Sequence, residues 1–161
     1  MSKNLTTGVT PELNGSGQRI ALICARWNDV IVNRLENGAR EALVNAGVAE
    51  GDIVSIKVPG ALEIPIAMKA ALATGAFDAA IALGVVLRGD TYHFEVVSNE
   101  SASGVMRVGL DSGRVVTNGI LTVDTEAQAD ERSVDGLGNK GAEAAAAALE
   151  LLAVCEQPAA Q

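Results

Sequence analysis

Residues 77–97 read FDAAIALGVVLRGDTYHFEVV. The first eleven form an almost unbroken apolar run, too short for a buried helix and rich in β-branched and small residues, the pattern of a strand covered on both faces. Arg88, Gly89, Asp90 and Thr91 break the run, and a helical pattern follows over 92–110 until Asp111, Ser112 and Gly113 stop it. One strand leading directly into one helix of this length is half of a βαβ crossover.

The same unit recurs on either side. Upstream, RIALICA (19–25) is a second continuous apolar run. From Asn28, a residue type suited to an N-cap, Ile31, Leu35, Ala39, Ala42, Leu43 and Ala46 recur at helical spacing, with Gly47 as the stop. DIVSIKV (52–58) is rich in β-branched residues and is punctuated by Pro59 and Gly60, after which 62–74 turns alanine-rich and helical. Downstream, VVTNGILTV (115–123) reads as a fourth strand, and Asp124-Thr125-Glu126 as the opening of a short helix near Arg132. The Gly-rich break VDGLGN (134–139) precedes a final helix over 140–155. Strands alternating with helices predict an α/β fold, a three-layer αβα sandwich on a four-stranded parallel sheet. A single domain over 18–161 follows a polar, flexible segment, 1–17.

Composition narrows the functions. A chain with 12 basic and 20 acidic residues carries a net charge of −8, which repels phosphate backbones and excludes nucleic acid as a partner. The two cysteines, Cys24 and Cys155, have no metal-ligand spacing and read as buried, reduced thiols. Neither a signal-peptide pattern nor a membrane-spanning apolar stretch is present, so a cytoplasmic location is expected. With one histidine and no cysteine cluster, no metal site is expected.

In open parallel sheets ligands bind beyond the carboxyl ends of the strands. Those ends carry Arg26-Trp27-Asn28, then Pro59 to Glu63, then Arg88 to His93. Two of the four aromatic residues, Trp27 and Tyr92, and the only histidine fall there, with a third, Phe94, directly after. The rings either face a ligand, with flat surfaces and polar edges suited to stacking, or plug one end of the sheet. At a helix start the dipole favours a neutral imidazole at His93, which can accept and return a proton. No GxGxxG follows a strand, and GLGNKG (136–141) lacks both the strand and the Ser or Thr of a phosphate loop. The start of the 92–110 helix offers backbone N–H groups to an anion. Glu63 is equally well explained by the dipole of its own helix, and Arg132 and Lys140 by solvation.

Taken together, RWN (26–28), VPGALEIP (58–65), ALGVVLRGDTYHF (82–94), NGILTVDTEAQADER (118–132) and GNKG (138–141) resemble the lumazine synthase family across nearly the whole chain after residue 17. The resemblance implies a flavodoxin-like fold. It also implies condensation of 5-amino-6-ribitylamino-uracil with 3,4-dihydroxy-2-butanone 4-phosphate to 6,7-dimethyl-8-ribityllumazine, releasing phosphate and water, with no cofactor. By similarity, Trp27 stacks on the pyrimidine; Asn28, Ala61, Leu62 and Glu63 line the ribityl chain; and the backbones of Val86 and Leu87 meet the pyrimidine edge. Asp90 and Thr91 offer N–H groups to the phosphate, Arg132 is its guanidinium partner, and His93 shuttles protons. Asn118 and Lys140 complete the pocket, which Asn118, Arg132 and Lys140 enter from a neighbouring subunit of a homopentamer. Some members build an icosahedral shell from pentamers, and the segment corresponding to 1–17 adds a strand to a neighbour's sheet. Leu62 and Asn118 stand where the family often has an aromatic residue, and Asp90 brings a negative charge beside the phosphate. A flavin-binding protein without activity, or a purely structural shell, would use the same scaffold.

Overall fold

The structure, a computed structural model, describes residues 11–136 and 138–156. Residues 1–10 of the segment expected to be flexible lie outside the described residues. From residue 11 onward the chain alternates β1 (Ile20–Ala25), α1 (Asp29–Asn45), β2 (Ile53–Val58), α2 (Ile64–Ala73), β3 (Ala79–Leu87), α3 (His93–Ser112), β4 (Val115–Val123), α4 (Glu126–Ser133) and α5 (Lys140–Glu156). All pairings are parallel, in the order β2-β1-β3-β4, and helices cover both faces: the three-layer αβα sandwich of flavodoxin-like proteins.

The burial of each strand follows from its place in that order. The interior strand β1 is buried throughout, and β3 along all but its last residue, which is why both read as continuous apolar runs. The edge strands β2 and β4 are only partly covered and carry polar residues between apolar ones. Leu22, Ile23, Leu35, Leu43, Ile64, Met68, Ile81 and Leu83 are among the largest fully buried side chains, so the core is aliphatic.

Helix boundaries depart from the sequence pattern in two places. Asn28 stands at the N-cap of α1, but its backbone is left-handed (φ 59°, ψ 44°) and its side chain makes no capping bond. Ala61–Glu63 form a 3-10 turn, so α2 begins at Ile64 with a proline in its first turn, where a missing N–H costs nothing. Thr125 does cap α4, accepting the Gln128 N–H at 3.2 Å. The thiols also differ from one another. Cys24 is buried, and burial first, then the neighbouring Glu36 carboxylate, pushes it up to about 12. Cys155 is exposed, contrary to expectation: on the last helix it falls on the outward side, which an alanine-rich stretch does not mark by composition.

The GNKG stretch has a structural task. Asn139 is buried; its amide nitrogen donates to the Arg34 and Ser133 carbonyls at 3.0 Å each, while Oδ1 accepts the Gly141 and Ala142 N–H groups. It therefore caps α5 and ties α4 to α1 at once. Gly141 packs so closely on α1 that a Cβ there would stand 1.9 Å from the Leu35 carbonyl oxygen. Because that neighbour is backbone, Gly141→Ala is expected to destabilise the fold by about 3 kcal/mol. Gly51→Ala, whose Cβ would meet nothing within 4 Å, should cost under about 0.5 kcal/mol. Urea titration of the two variants checks the difference.

Candidate active site

From β1 the chain passes to β2 on one side and then crosses to β3 on the other, so the loops leaving β1 and β3 diverge and open a crevice at their carboxyl ends. A cavity of about 170 Å³ lies there, lined by Ala25, Trp27, Asn28, Gly60, Ala61, Leu62, Glu63, Val85, Val86, His93 and Val97. A second hollow of about 250 Å³ adjoins it, sharing Asn28 and Val85 and adding Leu87.

Each wall is set by local structure. Trp27 is held through its backbone, which donates to the Pro59 carbonyl at 3.1 Å, while its indole remains 64% exposed. The indole packs on Gly60, where a Cβ would come within 2.5 Å of the ring. Asn28 is the one non-glycine residue at positive φ among the described residues. That conformation is unfavourable for most side chains, and asparagine is among the few that tolerate it. Its amide donates at 3.5 Å to the Val85 carbonyl, which turns it into the crevice rather than onto α1. Glu63 Oε2 accepts the Gly60 N–H at 2.9 Å, fixing the carboxylate's orientation. His93 opens α3, and Val97, one turn on, lines the same cavity, as i and i+4 positions share a helix face.

The structure thus gathers Trp27, Asn28, Ala61, Leu62, Glu63, Val86 and His93 around one cavity and Leu87 around its neighbour. Asp90 and Thr91 are exposed at the start of α3, where Thr91 Oγ1 accepts the His93 N–H at 3.3 Å. Asn118, Arg132 and Lys140 line neither hollow. Asn118 is exposed on the edge strand β4, Arg132 Nη1 donates to the Gln128 carbonyl at 2.9 Å, and Lys140 pairs with Glu143. The sequence pattern does not single out Ala25, Gly60, Val85 or Val97 as site residues. Gly60 was legible as the glycine beside a strand end, whereas the two valines carry no mark that separates them from core. Among the described residues no group of three or more His, Cys, Asp or Glu is placed to hold a metal ion.

The cavity is mostly uncharged, with a flat ring, one imidazole, one oriented carboxylate and exposed backbone. It can stack an aromatic substrate, bind hydroxyl groups and move protons. Because Trp27 is the only tryptophan, its fluorescence reports on this site alone. Gly60→Ala is expected to push the indole off its seat and shift its emission, with the thermal midpoint lowered by only a few degrees, about 1 kcal/mol's worth. Emission spectra and a melting curve of that variant check this.

The sequence profile of 6,7-dimethyl-8-ribityllumazine synthase matches residues 17–156. A 6,7-dimethyl-8-ribityllumazine synthase of Ralstonia pickettii (strain 12J) is 48% identical over 139 residues, covering 86% of this chain and 81% of the relative. One of Anaeromyxobacter sp. (strain K) is 46% identical over 151 residues, covering 91% and 93%.

Proposed function

The chain belongs to the 6,7-dimethyl-8-ribityllumazine synthase family, and from that premise we propose an active site divided between two copies of it. The protein is a transferase of riboflavin biosynthesis, condensing 5-amino-6-ribitylamino-uracil with 3,4-dihydroxy-2-butanone 4-phosphate to 6,7-dimethyl-8-ribityllumazine. One copy supplies the crevice. Trp27 stacks on the pyrimidine, the backbone groups of Val86 and Leu87 meet its edge, and Asn28, Ala61, Leu62 and Glu63 run along the ribityl chain. The carboxylate of Glu63, already aligned by the Gly60 N–H, accepts ribityl hydroxyl groups. The N–H groups of Asp90 and Thr91 face the phosphate.

The observation that carries the division is geometric: Trp27, Glu63 and His93 share one cavity, while Asn118, Arg132 and Lys140 stand on β4, α4 and α5, away from it. A second copy presenting those elements would bring a guanidinium to the phosphate, which the negative Asp90 beside it otherwise leaves uncompensated. Exposed Ile66, Met106 and Leu110 on α2 and α3 provide apolar surface for such an interface. A ring of five copies closes with every site complete. The connection 133–139 is short enough for further assembly into a hollow icosahedral shell, although it departs from the GTKAGN-like form often found in shell-forming members of the family.

The chemistry asks for little from charged catalysts. The pyrimidine amine attacks the ketone and the imine forms with loss of water; phosphate leaves to give an enol that tautomerises to a ketone, and the second amine attacks that ketone and loses a second water to close the ring. Each step needs registered partners and a proton taken or given, so holding two small molecules in contact supplies much of the acceleration. His93, on the cavity wall, moves the protons, a contribution on the order of 10²–10⁴.

His93→Ala is accordingly expected to lower kcat by roughly 10²–10⁴, and Arg132→Ala to raise KM for the butanone phosphate. Refolded together in equal amounts, the two poor variants should regain activity, since about a quarter of the interfaces of a mixed ring join two intact sides. Lumazine absorbance and released phosphate measure it. A mixture no better than its parts would show that both residues act within one chain.

A further inference from the structure

Arg88 is the last residue before the Gly89-Asp90-Thr91 turn, and its side chain engages three parts of the fold at once. Nη1 donates to the carboxylate of Glu95 in the first turn of α3, and Nε donates to the carboxylate of Asp124, the residue directly after β4. The face of the guanidinium lies 4.0 Å from the centroid of the Phe94 ring. The Arg88 N–H also donates to the Val123 carbonyl at 3.0 Å.

These contacts are not a stability device. The Arg88 side chain is 43% exposed and Asp124 61%, and ion pairs this open to solvent contribute little to stability. What they fix is direction. Two N–H vectors and one ring face together determine the orientation of a planar guanidinium, which an ammonium cannot match. They also fix the rotation of α3's first turn. Glu95 and Phe94 point to Arg88, while His93 and Val97 point into the cavity, so a helix start that rolls away from Arg88 carries His93 with it. Asp124 accepts from Arg88 through its side chain and donates its backbone N–H to Gln128 Oε1 at 2.8 Å, which joins the same point to the start of α4.

We propose that Arg88 is a positioning residue for the phosphate end of the substrate, holding the 89–92 turn and the first turn of α3 in register without touching substrate itself. The assignment rests on the reading of that turn as the phosphate site.

The test uses the assembled wild-type protein and Arg88→Lys, Glu95→Gln and Asp124→Asn variants, with inorganic phosphate as a competing probe. Each variant is expected to raise both KM for the butanone phosphate and the inhibition constant of phosphate, for Arg88→Lys on the order of tenfold. KM for the pyrimidine diamine should stay within about twofold, because Trp27 and Glu63 are held by Gly60 and Pro59 rather than by Arg88. The carboxylate variants leave Arg88 in place and keep the test decisive if Arg88→Lys does not assemble. Equal changes in both KM values, or none in either, would overturn the positioning role. Wild-type protein that phosphate does not inhibit would instead overturn the phosphate reading of the turn, and the role of Arg88 with it.

Discussion

A parallel strand that is hydrogen-bonded on both sides and covered by helices on both faces has only its ends to offer to solvent. β1 and β3 are such strands here, and the cavity opens where they end, walled on one side by the turn that follows the edge strand β2. Their inner residues are small enough for helices to pack closely, and α1 approaches α5 until the Leu35 carbonyl leaves no room for a side chain at residue 141. The rigidity of that middle allows an exposed tryptophan, an asparagine in an unfavourable backbone conformation and a helix-opening histidine to keep fixed positions at the rim. Strain at Asn28 persists because α1 and the β2 turn hold both flanks of it.

The same constraint explains which features the sequence made legible. Continuous apolar runs at 19–25 and 77–87 could only be interior strands, and the strand–helix alternation around them left one architecture. Rim residues were then readable as the ones following each run. Other features depend on contacts between distant segments and leave no local signature. Nothing in the order of residues says that Asn28 turns its amide to Val85, that the 61–63 segment tightens into a 3-10 turn, or that Arg88 reaches Asp124 thirty-six positions on. Cys155 shows the opposite limit, since an alanine-rich helix has no polar face to mark the outside. GNKG resembled a binding loop in composition, yet Asn139 and Gly141 serve the joint of three helices, and only Lys140 has its ammonium away from that joint, beside Glu143.

Charge is distributed in keeping with this division between frame and site. Glu36 shows the frame's style. Burial pushes its carboxyl up, but hydrogen bonds from Lys57 and Ser55 and the charges of Lys57 and Arg40 outweigh this and hold it below the usual range. That network lies where α1 meets the edge strand β2, and none of its residues lines the crevice. Around Arg88 the same logic is applied at the rim, where hydrogen bonds from the guanidinium hold Glu95 low and keep both partners charged. The cavity between has one carboxylate and one imidazole, so a neutral heteroaromatic ring can enter without displacing ion pairs.

On the proposed division of the site between two copies, chemistry would be contingent on assembly. A lone copy would bind the pyrimidine against Trp27 but would meet the phosphate with backbone N–H groups and the negative charge of Asp90, so the anionic substrate would be held weakly. With the compensating guanidinium on α4 of another copy, as proposed, full affinity would be tied to the closed ring. Arg88 would then have a place on both sides of that arrangement: it is bonded to Glu95 beside the turn proposed to receive the phosphate, and through Asp124 it is joined to the start of α4, the helix that bears Arg132. One exposed side chain of little energetic weight can matter to catalysis in this way, because the quantity it controls is the relative orientation of groups the reaction must bring together.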